Sequence, residues 1–386
     1  MTLSFIKINQ IILFQILTSD FDDLIMRDFS IDPDISKAHT IHTDFYTSPE
    51  VYELCKEKIF AQSWQFIGSS DLVKQKDDVY PFTLLKNFLD EPLVLTKDKT
   101  SNMHLVSNVC THRGNLVASE ACSIPRLRCK YHGRTFSLDG KFQSMPEFKE
   151  VVDFPTAADN LAKLPLFSWN KWLFTSLDQK FDPGIFLNDM MKRVSWMPLD
   201  EFVYKPDLSR DFHVKANWAL YCENYLEGFH IPFVHAGLNE HLDFEESTTE
   251  LFFPYSNLQI GISKRGESCF DLPVGSPDYG KKIAAYYFWV FPNMMFNFYP
   301  WGLSVNVVTP IAVSECIVSF YSYVWDESKM DAGAGSGLDK VEMEDEEIVE
   351  RVQLGVRSRF YNQGRYSVTK EKGTHHFHRI LAEFMK

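Results

Sequence analysis

The sequence predicts an α+β chain of two units in series, a small all-β unit followed by a larger unit of long strands and helices. Three observations predict it. From Trp64 to about residue 165, apolar residues fall in short alternating runs broken by turn residues, the pattern of short strands. Beyond about 165 the runs lengthen and turn aromatic, with amphipathic stretches of helical period around them. The 386 residues, 45% hydrophobic and 24% charged, suffice for two or three domains with real cores and exclude general disorder.

Taken in order, residues 1 to 25 are expected to be a dispensable extension or a miscalled start. The apolar run Ile11 to Leu17 follows Lys7 but no small-residue cleavage site follows it, and Met26 opens an ordinary start. Residues 26 to 63 form an N-terminal segment with a helix over 48 to 62. Ser48 can cap it, Pro49 suits its first position, and Val51, Leu54, Cys55 and Ile59 make its apolar stripe. The all-β unit spans 64 to 165. Strands are expected at Pro92 to Thr96 and His104 to Asn108, with a hairpin across Asp139-Gly140.

The larger unit spans 166 to 386. A strand at Arg210 to Lys215 leads into an amphipathic segment, Asn217 to His230, that Pro232 should end. Aromatic strands follow at Tyr286 to Phe291, Met294 to Tyr299, Leu303 to Val308 and Ile317 to Trp325. The run Asp331 to Gly337 reads as a flexible surface loop, because no strand feeds its glycines and no nucleotide spacing completes it. A charged helix is expected over about 341 to 361, and another closes the chain. No internal repeats occur.

Lys and Arg total 39 against 52 acids, a net charge of −13, which argues against binding nucleic acid. No apolar run approaches the ~18 residues that would cross a bilayer, so no membrane role is expected. Seven cysteines, odd in number and irregular in spacing, do not make a disulfide framework. They read as reduced thiols in a cytoplasmic protein, some of them metal ligands. The 33 Phe, 16 Tyr and 8 Trp predict wide apolar cores or an aromatic-lined pocket.

The β unit carries Cys110-Thr111-His112-Arg113-Gly114 and, with 16 residues between His112 and Cys129, Cys129-Lys130-Tyr131-His132-Gly133. Two thiolates and two imidazoles can hold tetrahedral zinc, or a [2Fe-2S] cluster with cysteines on one iron and histidines on the other. Zinc knuckles pair like ligands, whereas here each loop gives one Cys and one His, so that each can reach both irons. Gly114 and Gly133 permit close backbone approach. Cys122, between the loops, reads as a buried small hydrophobe, as do Cys55, Cys222, Cys269 and Cys316.

The second constellation lies in Asn217 to His235. His230 and His235 are five residues apart, about 140° around a helix at ~100° per residue, so a straight helix cannot aim both at one metal. Pro232 is expected to break the helix and let His235 swing back. Two histidines leave open the 2-His-1-carboxylate site of non-haem Fe(II) oxygenases. The carboxylate is sought on the charged helix, whose Val341, Ile348, Val349, Val352 and Val356 share one face. Asp345 sits near the centre of that stripe, while Glu342, Glu344, Glu346, Glu347 and Glu350 fan away and read as a solvated face.

C-x-H-R-G with C-x-Y-H-G, then E-N-x-x-E-x-x-H-x₄-H, then an acid on a late helix ending in V-Q-x-G, resembles the catalytic subunit of the Rieske non-haem iron oxygenases from about residue 40 onward. The resemblance implies a Rieske [2Fe-2S] domain held by Cys110, His112, Cys129 and His132. Behind it comes a helix-grip catalytic domain, a curved antiparallel sheet around a long helix. It makes His230, His235 and Asp345 the ligands of a mononuclear Fe(II). It makes Glu227 the bridging acid, hydrogen-bonded to His230 and to His132 of the partner subunit in a head-to-tail homotrimer, with Asn224 of the same motif beside it in the catalytic set. Two departures are mild: Thr111 stands where proline is usual and Arg134 where tryptophan is common. No dinucleotide fingerprint or plant-type four-cysteine cluster occurs, so electrons would come from a separate flavin and iron–sulfur reductase drawing on NAD(P)H. O₂ and a small organic molecule would be the other substrates.

A glutamate at position 227, within N-Y-L-E-G-F-H-I-P, looks more like the choline and carnitine monooxygenase branch than the naphthalene type. Tyr286, Tyr287, Phe288, Trp289, Phe296, Phe298, Tyr299 and Trp301 offer an aromatic cage for a quaternary ammonium, or plain core. The alternatives are an aromatic ring-hydroxylating dioxygenase, an O-demethylase, and, in another class, a Rieske electron carrier without oxygenase activity.

Overall fold

The computed structural model describes residues 28 to 330 and 332 to 386, side chains 244 and 245 left aside. The expectation for residues 1 to 25 lies outside the described residues. Helix α1 (Pro49–Cys55) begins as the sequence predicts: the Ser48 hydroxyl accepts from the Val51 amide at 3.2 Å and Pro49 fills the first turn. It runs on as a π turn over Lys56–Phe60.

The small unit is built on antiparallel strands β1 (Asp78–Leu84), β2 (Glu91–Lys97) and β3 (Met103–Ser107). A second small sheet, β4 (Leu127–Arg128), β5 (Thr135–Phe136) and β6 (Phe142–Ser144), contains the expected turn at Asp139-Gly140. Val94, Val106, Cys110, Leu127, Cys129 and Phe136 form a small core of their own beneath the cysteine loops. Strand Gln65–Ser69, just after α1, pairs instead with Trp172–Thr175 and belongs to the main core.

The larger unit is one antiparallel sheet. Strand β14 (Glu315–Val324) takes β7 (Val203–Tyr204) and β8 (Arg210–Val214) on its outer edge. The order then runs through β13 (Gly302–Ala312), β12 (Met294–Tyr299), β11 (Ile283–Val290), β10 (Ser256–Ser263) and β9 (Leu242–Phe252). All six residues of the central strand β12 are buried. Alternation along the strands sorts the aromatic residues. Phe296 and Phe298 face Trp169, at 6.4 Å between ring centroids in each case, while Trp289 faces Phe377 on the closing helix, at 5.1 Å. The helices α2 (Trp218–Tyr225), α4 (Leu338–Gly355) and α5 (Lys372–Phe384) belong to this second side. The α+β class holds.

Four expectations change. Helix α2 stops at Tyr225, well short of Pro232, which sits in the first turn of a new short helix, α3 (Ile231–Val234). After the break the Glu227 carboxylate caps the next turn: its Oε2 accepts from the amides of Phe229, at 2.5 Å, and His230, at 3.1 Å, just ahead of α3. Gly333, Ala334 and Gly335 are buried against the sheet, where the Trp301 indole donates to the Gly335 carbonyl at 3.2 Å, so this stretch is no surface loop. Helix α4 spans Leu338–Gly355, ending well before residue 361, and Val352 on its supposed apolar face is 42% exposed. Cys122 is exposed; Cys55, Cys222 and Cys316 are buried and Cys269 half-buried, and all seven cysteines are free.

Candidate metal centres

The two cysteine loops are copies of each other in their hydrogen bonds. Cys110 N–H donates to the Asn115 carbonyl and Cys129 N–H to the Arg134 carbonyl, each at 2.9 Å. Gly114 and Gly133 close the loops by donating to the carbonyls of Cys110 and Cys129, each at 3.0 Å. Both glycines have positive φ, +70° and +75°, which any side chain would strain. The thiols are buried, while His112 is half-buried and His132 exposed, their rings 4.8 Å apart between centroids. Burial pushes the Cys129 thiol up, but donors from Tyr131, Asn115, the Cys110 thiol and His132 outweigh it and leave it below its ordinary value, while burial and Cys129 leave Cys110 above its own. Donors aimed at sulfur suit thiolates and sulfides. Two buried thiols with two imidazoles at the rim fit the two-cysteine, two-histidine donor set that would hold a [2Fe-2S] cluster.

The second centre assembles around Asp345. Its Oδ1 lies 3.0 Å from His235 Nε2 and 3.4 Å from His230 Nε2. The Asn224 amide donates to the same oxygen at 2.5 Å, fixing the carboxylate. Ligand atoms from the three residues all lie within 4.8 Å of one another. His235 is able to turn back because it is itself the kink between two short helices, at φ −107°, ψ 75°. Each imidazole has its own glutamate behind it: Glu227 holds His230 Nδ1 and Glu344 holds His235 Nδ1, both at 2.8 Å. Such carboxylates orient the ring so that Nε2 is free for metal. Burial pushes the His230 imidazolium down, but Asp345 and Glu227 outweigh it and raise it to about 9. Burial pushes Asp345 up, yet its bonds to both histidines hold it below the ordinary carboxylate range. Two imidazoles and an ionised carboxylate on one side, with a cavity on the other, fit a facial Fe(II) site.

That cavity, about 130 Å³, is bordered by all three residues and by Tyr225, Tyr287 and Tyr299. Of the eight aromatic residues expected as a cage, Tyr287 and Tyr299 reach it. Tyr286, Phe288, Phe296 and Phe298 point to the opposite face of the sheet, and Trp289 and Trp301 pack in the core.

The chain matches two family profiles, "Rieske [2Fe-2S] domain" over residues 63–155 and "Ring hydroxylating alpha subunit (catalytic domain)" over 199–386. A choline monooxygenase of Arabidopsis thaliana is 31% identical over 95% of this chain and 88% of its own length. The chain belongs to the Rieske oxygenases. The carnitine monooxygenase oxygenase subunit of Escherichia coli K12 is 27% identical over 96% of this chain and 99% of its own. The fold is that of the solved quaternary ammonium Rieske monooxygenase CntA, with a TM-score of 0.74 at 24% identity, covering 93% of this chain and 98% of that one. Naphthalene 1,2-dioxygenase from Rhodococcus sp. shares it at a TM-score of 0.71 and 19% identity, over 90% and 94% of the two chains. As a Rieske oxygenase, the protein is an oxidoreductase, the terminal oxygenase component of its system, with a [2Fe-2S] cluster and a mononuclear iron as cofactors.

In this Rieske oxygenase the acidic stretch around Asp345 on α4 is less simple than its charge pattern. Glu342, expected on a solvated face, is 3% exposed, and the Tyr221 hydroxyl donates to it at 2.6 Å. Glu344, also expected in solvent, is the partner of His235. Sequence reasoning missed both because helical periodicity sorts residues by one buried face, and α4 is contacted from more than one direction. The one available signal was the acid immediately before Asp345.

Proposed function

We propose that this chain hydroxylates a small quaternary ammonium compound at an iron held by His230, His235 and Asp345. The observation that carries the reading is the cavity beside that triad, lined by Tyr225, Tyr287 and Tyr299 and, among the described residues, by no Lys or Arg. Ring faces attract a cation that has no N–H to donate. The choline and carnitine monooxygenases among the relatives are named for such substrates.

The bound iron supplies O₂ activation, and the cluster supplies the electron that one iron does not readily store. In the overall balance one oxygen atom enters a C–H bond of the substrate and the other leaves as water, with two electrons and two protons consumed. The chain's own residues do the positioning. Glu227 and Glu344 fix the imidazoles, Asn224 fixes the Asp345 carboxylate, and Tyr299, buried, with the half-buried Tyr225 and Tyr287, shields the reacting carbon from water. Cys110, His112, Cys129 and His132 hold the cluster within residues 64 to 165, and residues 166 to 386 form the catalytic unit.

We further assign a head-to-tail homotrimer in which Glu227 links His230 to His132 of the partner subunit. Exposed apolar side chains flank both ends of that route: Leu116 and Tyr131 beside the cluster loops, Phe229 and Phe233 beside His230. A heterologous contact of this kind closes naturally into a ring. Electrons would arrive from a separate NAD(P)H-dependent flavin and iron–sulfur reductase. The cytoplasmic location rests on the seven free cysteines and remains part of this reading. No helix among the described residues is long and apolar enough to cross a membrane.

The test is oxygen uptake with NADH and a surrogate reductase across choline, carnitine, betaines and aromatic acids. A quaternary ammonium should stimulate uptake with matching hydroxylated product. Stimulation by aromatic acids alone would overturn the substrate class and leave the reaction class standing.

A further inference from the structure

One carboxylate in the cavity has no part in holding iron. Glu342 lies one turn before Asp345 on α4 and borders the same space. Its Oε2 accepts from Tyr221, and its Oε1, buried, has no hydrogen-bond partner among the described residues. Neither protonation state is complete as it stands. Ionised, the group is a buried charge with one neutral donor; protonated, it is a buried O–H with no acceptor. Both are costly. Burial accordingly pushes its acid well above the ordinary carboxylate range, against the Tyr221 bond.

Three carboxylates border the cavity. Asp345 has both histidines and Glu227 has His230, which leaves Glu342 without a positive partner. Facing the same space are Tyr287 and Tyr299, edge to face at 5.9 Å between centroids. Glu342, held neutral by burial, would give up its proton when a cation enters, and the resulting carboxylate and the ring faces together would recognise a cation that cannot hydrogen-bond.

We propose that Glu342 is the counter-ion for the substrate's ammonium group, and that the cavity selects a monocation of the amino-alcohol kind over zwitterions that also carry a carboxylate. This rests on the quaternary ammonium reading above. A substrate carboxylate would find no Lys or Arg among the described lining residues and would lie among Glu227 and Asp345. A water molecule on Oε1 is the competing way to complete the site.

The experiment is calorimetric titration of the metal-loaded protein with choline, with its uncharged carbon isostere 3,3-dimethylbutan-1-ol, and with carnitine. It compares wild type, Glu342→Gln and Glu342→Asp, with cluster colour and iron content as controls on folding. Wild type should bind choline at least about tenfold more tightly than either other ligand. Glu342→Gln should lose about tenfold in choline affinity while the isostere changes by less than about twofold. Glu342→Asp should lie between. Choline affinity within about twofold of wild type in Glu342→Gln overturns the counter-ion and assigns the site to water. Carnitine binding as tightly as choline overturns the selection. Should Glu342→Gln fail to fold, an unchanged choline-to-isostere ratio in Glu342→Asp overturns the proposal equally. A wild type that binds no quaternary ammonium overturns both this and the reading on which it rests.

Discussion

The two metal regions are held together in opposite ways. Each cysteine loop closes on itself, with every backbone bond that shapes it made inside six residues, from Cys110 to Asn115 and from Cys129 to Arg134. The triad closes only across the fold: His235 meets Asp345 over 110 residues of chain, and Asn224 meets it over 121. Soft ligands on local loops thus come with their own scaffold, whereas the imidazole–carboxylate site exists only after α2, α3 and α4 have docked. Loss of a ligand should therefore have local consequences at the first site, and docking should decide occupancy at the second.

The largest expected effect crosses the two. Cys110→Ala or His132→Ala should abolish the visible colour and the reduced-state EPR signal while keeping the mononuclear iron. Cys122→Ala, exposed and outside the loops, should change neither. Asp345→Ala should do the reverse, leaving the colour and lowering iron from about three to about two per chain. Retained mononuclear iron in Asp345→Ala, with loss in Glu342→Ala or Glu344→Ala, would show that the wrong acid of α4 has been assigned.

The same contrast decided what could be read without a structure. The two matched loops, each with a cysteine, a histidine and a closing glycine, were legible because local spacing is the structure there. His230 and His235 were legible as a pair, but the reason given for their geometry, a helix broken by Pro232, was not the one the chain uses. The regular helix ends at Tyr225, Glu227 caps the turn that follows by accepting backbone amides, and His235 is its own kink. Asp345 was singled out from an apolar stripe that is only partly the buried face of α4, since Val349 is buried there but Val352 is exposed and Glu342 and Gln353 are buried instead. Glu342 and Glu344 were misread because their burial comes from Tyr221 and His235, partners more than a hundred residues away. The buried Gly333–Gly335 turn was lost for the same reason: glycine composition says nothing about the Trp301 indole beneath it.

A finer test separates two glutamates that look alike. Glu227 and Glu344 each hold a histidine Nδ1 at 2.8 Å. Replacement of either by Gln should weaken iron binding by about 10–100-fold, the usual cost of losing such a partner. Excess iron should then restore turnover to Glu344→Gln. Glu227→Gln, fully loaded, should still turn over poorly, and its cluster should be reoxidised by O₂ and substrate far more slowly than in wild type. Equal rescue of both would remove Glu227 from the route between subunits and leave it a positioning residue for His230 alone.

The smallest effect concerns the scaffold of the cluster region, where both departures from the family pattern converge on one residue. The Thr111 hydroxyl donates to the Asp159 carbonyl at 2.8 Å. Arg134, 2% exposed, donates to the Asp159 carboxylate at 2.5 Å and lies 5.0 to 5.8 Å from the ring centroids of Phe136, Phe142 and Phe154. The pair ties the start of the second cysteine loop's return strand to the segment that passes beneath the first. Arg134→Met keeps the apolar contact with the rings and removes the charge. Asp159 would not be stranded, because Thr156 also donates to it from its amide and its hydroxyl, at 2.7 and 3.1 Å. The loss should therefore stay near about 2 kcal/mol, typical of a hydrogen bond to a charged group. For a unit of 60–100 residues each kcal/mol lowers the midpoint by roughly 4–8 °C. Heating while following cluster colour should show that fall, with the unfolding of the catalytic unit unmoved. A fall shared equally by both transitions would mean that the cluster region does not hold itself together, and the contrast between the two sites would fail at its root.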